Sequence, residues 1–286
     1  MSNACPAHLD PLTFEFYGRS LRALVAAEVP FLVGGAYAFE RYTGIARHTK
    51  DFDIFVRPEH LDQVFGVLGA TGCDTEITFP HWLGKARCGD DLVDIIFSSG
   101  NGVATVDELW FTHAVEEIVL GVPVRLMPAE EMIWSKGFIM ERERFDGADI
   151  AHVLHARAET LDWRRLVDRF GRHWRVLFSH LVLFGFIYPA ERARIPAWVM
   201  NELTRRLVRE TASVPAAGSE AVCRGPLLSR AQYLVDVEDR GYRDARLTHE
   251  SAMNEADIQL WTEGIKIDGE GDPHRGAPPF PSSSAA

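Results

Sequence analysis

Three aspartates in this chain sit inside strongly apolar runs. Asp51 and Asp53 lie in Thr49-Lys-Asp-Phe-Asp-Ile-Phe55, and Asp94 lies in Leu92-Val-Asp-Ile-Ile-Phe97. An acid in such a run costs free energy unless a cation or hydrogen-bond donor meets it. Both runs favour β-structure, and strand side chains alternate between faces. Asp51 and Asp53 therefore share one face, while Phe52 and Ile54 turn to the core. In the second run Asp94 shares its face with Leu92 and Ile96. If the two strands are neighbours, the three carboxylates meet. Their mutual repulsion would raise their pKa values and weaken the fold without a cation. Mg²⁺ (or Mn²⁺) answers that need. Mg²⁺ takes oxygen ligands at about 2.0–2.1 Å and accepts substrate phosphates as further ligands. Two such ions about 3.5–4 Å apart can hold both oxygens of an in-line displacement. Asp51 and Asp53 are expected to bind metal. Asp94 is expected to bind a second ion or to take the proton of an attacking hydroxyl.

An isolated Asp-x-Asp is usually a surface feature. What changes the balance is Phe31-Leu-Val-Gly-Gly35, an apolar strand running into a glycine pair just upstream. Gly34 and Gly35 stand between that strand and a helix, where small residues let backbone N–H groups approach a phosphate and the helix N-terminus favours negative charge. A tight turn needed for shape alone is the competing explanation. Arg47, His48, Thr49 and Lys50 lead into the first acidic strand. By parity Thr49 falls on the face of Asp51 and Asp53, and Lys50 on the other. Arg47 joins the metal face if the extended conformation reaches back that far. Arg47 and Thr49 are thus preferred over Lys50 as phosphate or acceptor contacts.

The elements that must position these groups follow from periodicity. A helix is expected over 14–29, a strand at 31–33, a helix over 36–42 and a strand over 51–56. Pro58 opens a further helix ending near Gly69 or Gly72. A hairpin is expected within 74–88, a strand over 92–97, a short helix over 107–114, and a hairpin around Gly121 over 117–126. From Pro128 to about Arg209 the pattern is helical, with Asp146 and Asp162 as N-cap candidates and Asp149 completing a capping-box-like start. Residues 211–226 read as a linker, a helical segment follows around 250–265, and the end is rich in Gly, Pro and Ser. The expected organisation is a catalytic α/β (α+β) domain over 1–126, a helical domain over 127–210, a linker and C-terminal helical segment over 211–265, and a tail over 266–286.

Bulk properties narrow the function. The chain has 286 residues and a formal net charge of -11, which argues against a chain-wide electrostatic grip on nucleic acid. Cys5, Cys73, Cys88 and Cys223 are scattered without a Cys-x-x-Cys pair, as expected for reduced thiols in the cytoplasm. His152 and His155 share a helix face, but nothing completes a zinc set. The most apolar stretch, 177–188, is too short to span a bilayer. Arg164, Arg165, Arg169, Arg172 and Arg175 read as a solvated basic face, with attraction of an anionic acceptor as the sharper alternative. Lys136 falls within the apolar stripe of Met132, Ile133, Ile139 and Met140, so it must snorkel, pair with an acid or reach a polar cleft. For the stretch from Gly225 to Arg246 the sequence offers a cover over the cleft or a dock on the helices.

The order strand, Gly-Gly, helix, Asp-x-Asp strand and third acidic strand resembles the polymerase-β-like nucleotidyltransferase superfamily. The run Arg47-His-Thr49-Lys-Asp51-Phe-Asp53 is closer to its bacterial minimal and AbiEii-like branches. The resemblance covers roughly residues 20–155. It implies a nucleotidyltransferase-fold mixed sheet followed by a helical domain, an NTP co-substrate, Mg²⁺ and pyrophosphate release. It also implies that Lys136 reaches the cleft, near the nucleotide phosphates or the metal-site acids, with Arg142, Asp146 and Asp149 in comparable places just beyond. The spacing from Gly35 to Asp51 is longer than the common form, and Gly35 stands where many members have Ser. The expected activity is Mg²⁺-dependent transfer of an NMP, AMP foremost, to a hydroxyl acceptor, with a small molecule or protein favoured over RNA. The alternatives are a toxin-type nucleotidyltransferase modifying tRNA or protein, partnered by an antitoxin, and a non-catalytic nucleotide-binding protein. Neither a membrane nor an address outside the cytoplasm is expected.

Overall fold

The structure is a computed structural model describing residues 10–47, 51–212 and 221–268. His48, Thr49 and Lys50 therefore lie outside the described residues, as do Cys5 and the tail beyond 268. The chain enters through α1 (Pro11–Ala26), whose first turn is capped by Asp10, accepting from the Leu12 amide at 2.8 Å. Phe16, Tyr17, Leu21 and Leu24 form its buried stripe. β1 (Leu32–Val33) is cut short by Gly34, and α2 (Gly35–Thr43) begins at once. Then come β2 (Phe52–Phe55), a single 3₁₀ turn at Pro58–His60, and α3 (Leu61–Ala70). β3 (Asp74–Phe79), β4 (Leu83–Cys88) and β5 (Asp91–Ile96) form a meander. α4 (Glu108–Thr112), capped by Asp107, leads into the hairpin β6 (Val115–Val119) and β7 (Val122–Leu126).

These strands form one mixed sheet in the order β3-β4-β5-β2-β1-β7-β6. β2 is parallel to β5 and antiparallel to β1, and β1 is parallel to β7. Leu32, Val33, Ile54 and Ile95 are fully buried, as befits central strands that are covered on a face by helices. The mixed α/β architecture expected from the sequence is present. β2, the carrier of Asp53, is paired on both sides, so the acid is held at the middle of the sheet.

The helical half comprises α5 (Ala129–Gly137), α6 (Gly147–Arg157), α7 (Trp163–Phe170), α8 (Trp174–Ile187) and α9 (Ala197–Ala212). One hydrophobic core joins both halves, running from Phe16 through Ile133 and Leu166 to Ala245. Arg157 ties α6 to the end of α2, donating to the carbonyls of Tyr42 and Arg41 at 3.0 and 3.1 Å. The expected solvated basic face on α7 is only partly present. Arg165 is paired with Glu130 and Glu131 at 2.5 Å, and Arg169 with Asp107 at 2.6 Å and Glu131 at 3.0 Å. Glu131 has no exposed side-chain surface, so these arginines neutralise a buried acid instead of facing solvent. Removing one partner of such a network strands the other charge. Glu131→Ala is expected to lower stability by about 3–5 kcal/mol, measured as a shift of the urea midpoint at unchanged slope.

Beyond α9 the expected linker is only partly visible, since 213–220 lie outside the described residues. β8 (Val222–Cys223), α10 (Leu234–Glu238), β9 (Arg243–Asp244) and α11 (Glu255–Asp268) make up the C-terminal segment. β8 and β9 pair in parallel, and Arg246 is wholly buried against Asp244 at 2.7 Å. Among the described residues no helix is long and apolar enough to cross a membrane.

Candidate active site

The parallel pairing of β2 with β5 sets Asp53 directly opposite Asp94, and Ile54 opposite Ile95. Residues opposite one another in a ladder point to the same face. Asp51, just before β2, lines the same cavity as Asp53 and Asp94, a space of about 530 Å³. Its floor is this sheet face. Its walls are the start of α2, α5 with the loop after it, and the C-terminal segment.

The proximity of the carboxylates shows in their electrostatics. The Asp53 carboxyl is pushed up to about 7 by burial first, then by the charges of Asp51 and Asp94. The Asp94 carboxyl is also raised, by burial first and with a contribution from Asp51, against the lowering effect of Lys85. Lys85 is the residue that β4 sets opposite Asp94, with its Nζ 3.5 Å from Asp94 Oδ1. The sequence reading missed it. The signal was available: Cys88 pairs with Asp91, leaving Gly89-Asp90 as a two-residue hairpin loop with Gly89 at φ 64°. A glycine at the first position of such a loop is a hairpin signature, and placing it fixes Lys85 against Asp94.

Gly34 and Gly35 do different things. The Gly34 amide already donates to the Asp53 carbonyl at 3.0 Å, and a Cβ there would fall 2.1 Å from the Phe55 ring. The Gly34 amide is thus taken up by sheet pairing, and its lack of a side chain by packing against Phe55. Gly35 lines the cavity at φ 53°, and a Cβ on it would lie 1.7 Å from Asp53 Oδ2. The absence of a side chain is what lets the Asp53 carboxylate rest against the first turn of α2. The amides of that turn have no carbonyl one turn behind them, and they sit beside the carboxylates.

Arg47 and Lys136 both line the cavity, held by two acids on α6 and its approach. Lys136 Nζ lies 2.6 Å from Asp146 and 2.9 Å from Asp149. Asp149 also pairs with Arg47, whose guanidinium stacks 4.3 Å from the Phe39 ring centre. Asp146 occupies the N-cap position of α6 but its side chain does not cap the helix. It binds Lys136 and, at 2.9 and 3.0 Å, Arg144. Its carboxyl is held low by Arg144 and Lys136 against the opposing effect of burial. The capping roles expected for Asp146 and Asp149 thus give way to ion pairs, because two cations compete for oxygens that backbone amides would otherwise take. Arg144, a cavity residue, was not singled out from the sequence, whereas Arg142 is exposed and pairs with Glu143. Thr49 and Lys50 lie outside the described residues.

The three carboxylates suit a divalent cation in the chemistry of their donors: hard oxygens only, on one face, with unresolved repulsion. As they stand, no group of three His, Cys, Asp or Glu among the described residues is closed up as a metal cluster.

The C-terminal segment forms the remaining wall. Leu228 accepts from the Met140 amide at 3.1 Å, and Leu227 from Asn101 Nδ2 at 2.7 Å. Trp261 of α11 packs edge-on against Trp82 at 5.3 Å between ring centres, and both line the cavity. Residues 226–230 line the cleft and also bond to the segment after α5 through Met140 and Glu141, so both roles the sequence left open for Gly225 to Arg246 have contacts to support them.

No family model matches the chain, and no curated protein matches it. Among solved structures it is similar to the antibiotic-resistance factor ANT(2″)-Ia, at 16% identity over 71% of this chain and 97% of that one, with a TM-score of 0.38. It is similar to the lincosamide antibiotic adenylyltransferase LnuA at 16% identity, over 49% of this chain and 94% of that one, with a TM-score of 0.36. An antigenic nucleotidyltransferase-like protein from Paracoccidioides brasiliensis aligns at 14% identity over 65% of this chain and 93% of that one, with a TM-score of 0.43. Likeness at this level assigns no role to any residue of this chain.

Proposed function

We propose that the chain is a nucleotidyltransferase that moves an NMP, AMP foremost, from an NTP to a hydroxyl of a small-molecule acceptor and releases pyrophosphate. The observation that supports this best is the pairing of Asp53 with Asp94 on neighbouring parallel strands, with Asp51 in the same cavity at the start of α2. Asp51, Asp53 and Asp94 would hold Mg²⁺ or Mn²⁺, which supplies charge neutralisation at the reacting phosphate and alignment of attacking and leaving oxygens.

The chain's own groups divide the remaining work. The first-turn amides of α2 and its positive dipole end favour the phosphates. Arg47 and Lys136, fixed in place by Asp149 and Asp146, add positive charge that is already oriented and so loses little entropy on binding. The acceptor hydroxyl attacks the α-phosphorus, its oxygen forms the new P–O bond, and the bond to the pyrophosphate oxygen breaks. The hydroxyl proton passes to Asp94. A carboxylate raised above its ordinary range is the better base, since proton affinity rises with pKa.

The test is incubation with each α-labelled NTP and Mg²⁺ against a lysate separated into protein, RNA and small molecules. Label is expected in the small-molecule fraction, with one pyrophosphate released per label transferred. Nucleotide binding without transfer to any fraction would overturn the enzymatic reading. Label in RNA or protein would favour the toxin-type alternative.

A further inference from the structure

We propose that Cys73 and Cys88 are a redox-active pair, joined by a reversible disulfide under oxidising conditions, and that the bridge braces the β3–β4 end of the sheet.

Both are free thiols, and the sheet sets them side by side. The Cys73 amide donates to the Leu68 carbonyl at 3.3 Å, so the turn that ends α3 delivers Cys73 to the start of β3. β3 runs antiparallel to β4, with Thr75 opposite Ala86 and Asp74 opposite Arg87. The next step of that ladder puts Cys73 opposite Cys88. Opposed residues in an antiparallel pair have Cα atoms about 4.5–5.5 Å apart and side chains on one face. A disulfide spans Cα separations of about 4.4–6.8 Å. The shared face is the one away from the cavity. Gly84, Ala86 and Cys88 alternate with Lys85, which meets Asp94 on the cavity side, and a Cβ on Gly84 would strike the Phe65 ring of α3 at 2.5 Å. Cys73 belongs to the hydrophobic core and Cys88 packs against that core, so both thiols point the same way. The Cys73 thiol is pushed up by burial first, and Cys88 contributes to the rise.

The two sulfurs have different access. Cys73 is buried, and Cys88 is only half-buried, so Cys88 is the one a small oxidant reaches first. Cys88 Sγ accepts from Arg19 Nη2 at 3.8 Å, a donor suited to a thiolate. With glutathione disulfide as the oxidant, the Cys88 thiolate attacks one of its sulfurs. A mixed disulfide forms and one glutathione thiolate leaves. Cys73 then gives its proton to solvent and attacks the Cys88 sulfur, and the second glutathione leaves as a thiolate. The chain has lost two electrons and two protons, and the oxidant has become two thiols. The bridge closes the short loop 73–88 at the outer end of the sheet, where β3 is an edge strand. A cross-link over so short a loop stabilises chiefly by restricting the unfolded chain.

The experiment equilibrates the full chain with glutathione disulfide at pH 8, blocks the remaining thiols with N-ethylmaleimide and maps the peptides by mass spectrometry. A Cys73–Cys88 linked peptide is expected, with Cys5 and Cys223 alkylated. The oxidised chain should melt about 5–10 °C above the reduced one, and dithiothreitol should return both the free thiols and the lower melting temperature. Cys73→Ser should stop at the mixed disulfide on Cys88, and Cys88→Ser should take up no glutathione at position 73. Alkylation of Cys73 and Cys88 in the oxidised wild type overturns the inference, as does a bridge from either of them to Cys5 or Cys223. A linked chain that melts together with the reduced one overturns the bracing role.

Discussion

Asp53→Asn is expected to end nucleotidyl transfer and, in the same variant, to make the metal-free protein more stable at pH 8. The first effect follows from removing a carboxylate at the centre of the cluster. A loss of about 10³-fold or more in kcat/KM is the scale for a group acting on the charge of a transition state. The second follows from linkage. The folded-state pKa of Asp53 is about 7, raised from 3.8 by burial, Asp51 and Asp94. Between those values the native state binds a proton that the unfolded state has released, so stability falls as pH rises. The wild-type penalty is absent near pH 4, grows through the window up to about 7, and is constant above it. Its full size is about 2–4 kcal/mol, at 1.36 kcal/mol per unit and with part of the charge screened by solvent. The asparagine carries no such penalty. Thermal melts from pH 4 to 8 should show variant and wild type converging in acid and separating towards pH 8. Added Mg²⁺ should raise the wild-type melting temperature at pH 8 and have little effect on the variant. Retained turnover, or a variant less stable than wild type at pH 8, would contradict the carboxylate cluster as the seat of the chemistry.

Gly35→Ser is expected to lose transfer by about 10²-fold or more and to cost about 1–3 kcal/mol of stability. The resemblance makes serine the natural choice there, yet this chain has no room for it. The backbone is at φ 53°, and the new Cβ would overlap Asp53 Oδ2 at 1.7 Å. The carboxylate must move, and the cluster moves with it. Gly34→Ala is the contrasting variant. Its Cβ would meet the Phe55 ring and Met127 Sδ, at 2.1 and 2.8 Å, away from the carboxylates. It should lower stability by a similar amount and reduce kcat/KM far less. Measured side by side, the two variants separate a glycine kept for packing from a glycine kept for the site. Equal loss of activity in both would remove that distinction.

Much of the floor of the site could be read from the chain. Alternation put Asp51 and Asp53 on one face, because strand periodicity is a local property of the backbone. The Asp53 and Asp94 carboxyls are raised by burial and, in part, by the charge of Asp51, a proximity that the alternation requires once the strands are adjacent. Lys136 was legible as a cation misplaced in an apolar stripe. Its partners were less so. Asp146 and Asp149 carry the residue types and spacing of a helix start, and local rules give them caps. Only the arrival of Arg144 and Lys136, with Arg47 from a distant part of the chain, turned them into anchors for cations. Arg165 and Arg169 misled in the same way. Helical periodicity placed them off the apolar stripe, and a buried Glu131 on α5 drew them inward.

The sequence by itself determined the setting of the three aspartates in apolar strands, the break at Gly34-Gly35 and the alternation of sheet and helix, since each depends on neighbours within one element. Tertiary structure decided that β5 lies beside β2 in the register that matches Asp94 to Asp53, that Lys85 joins them, and that residues 226–230 and Trp261 close the far wall. Those outcomes depend on hydrogen bonds and packing between segments far apart in the chain, such as Asn101 with Leu227, which carry no periodic trace in either segment.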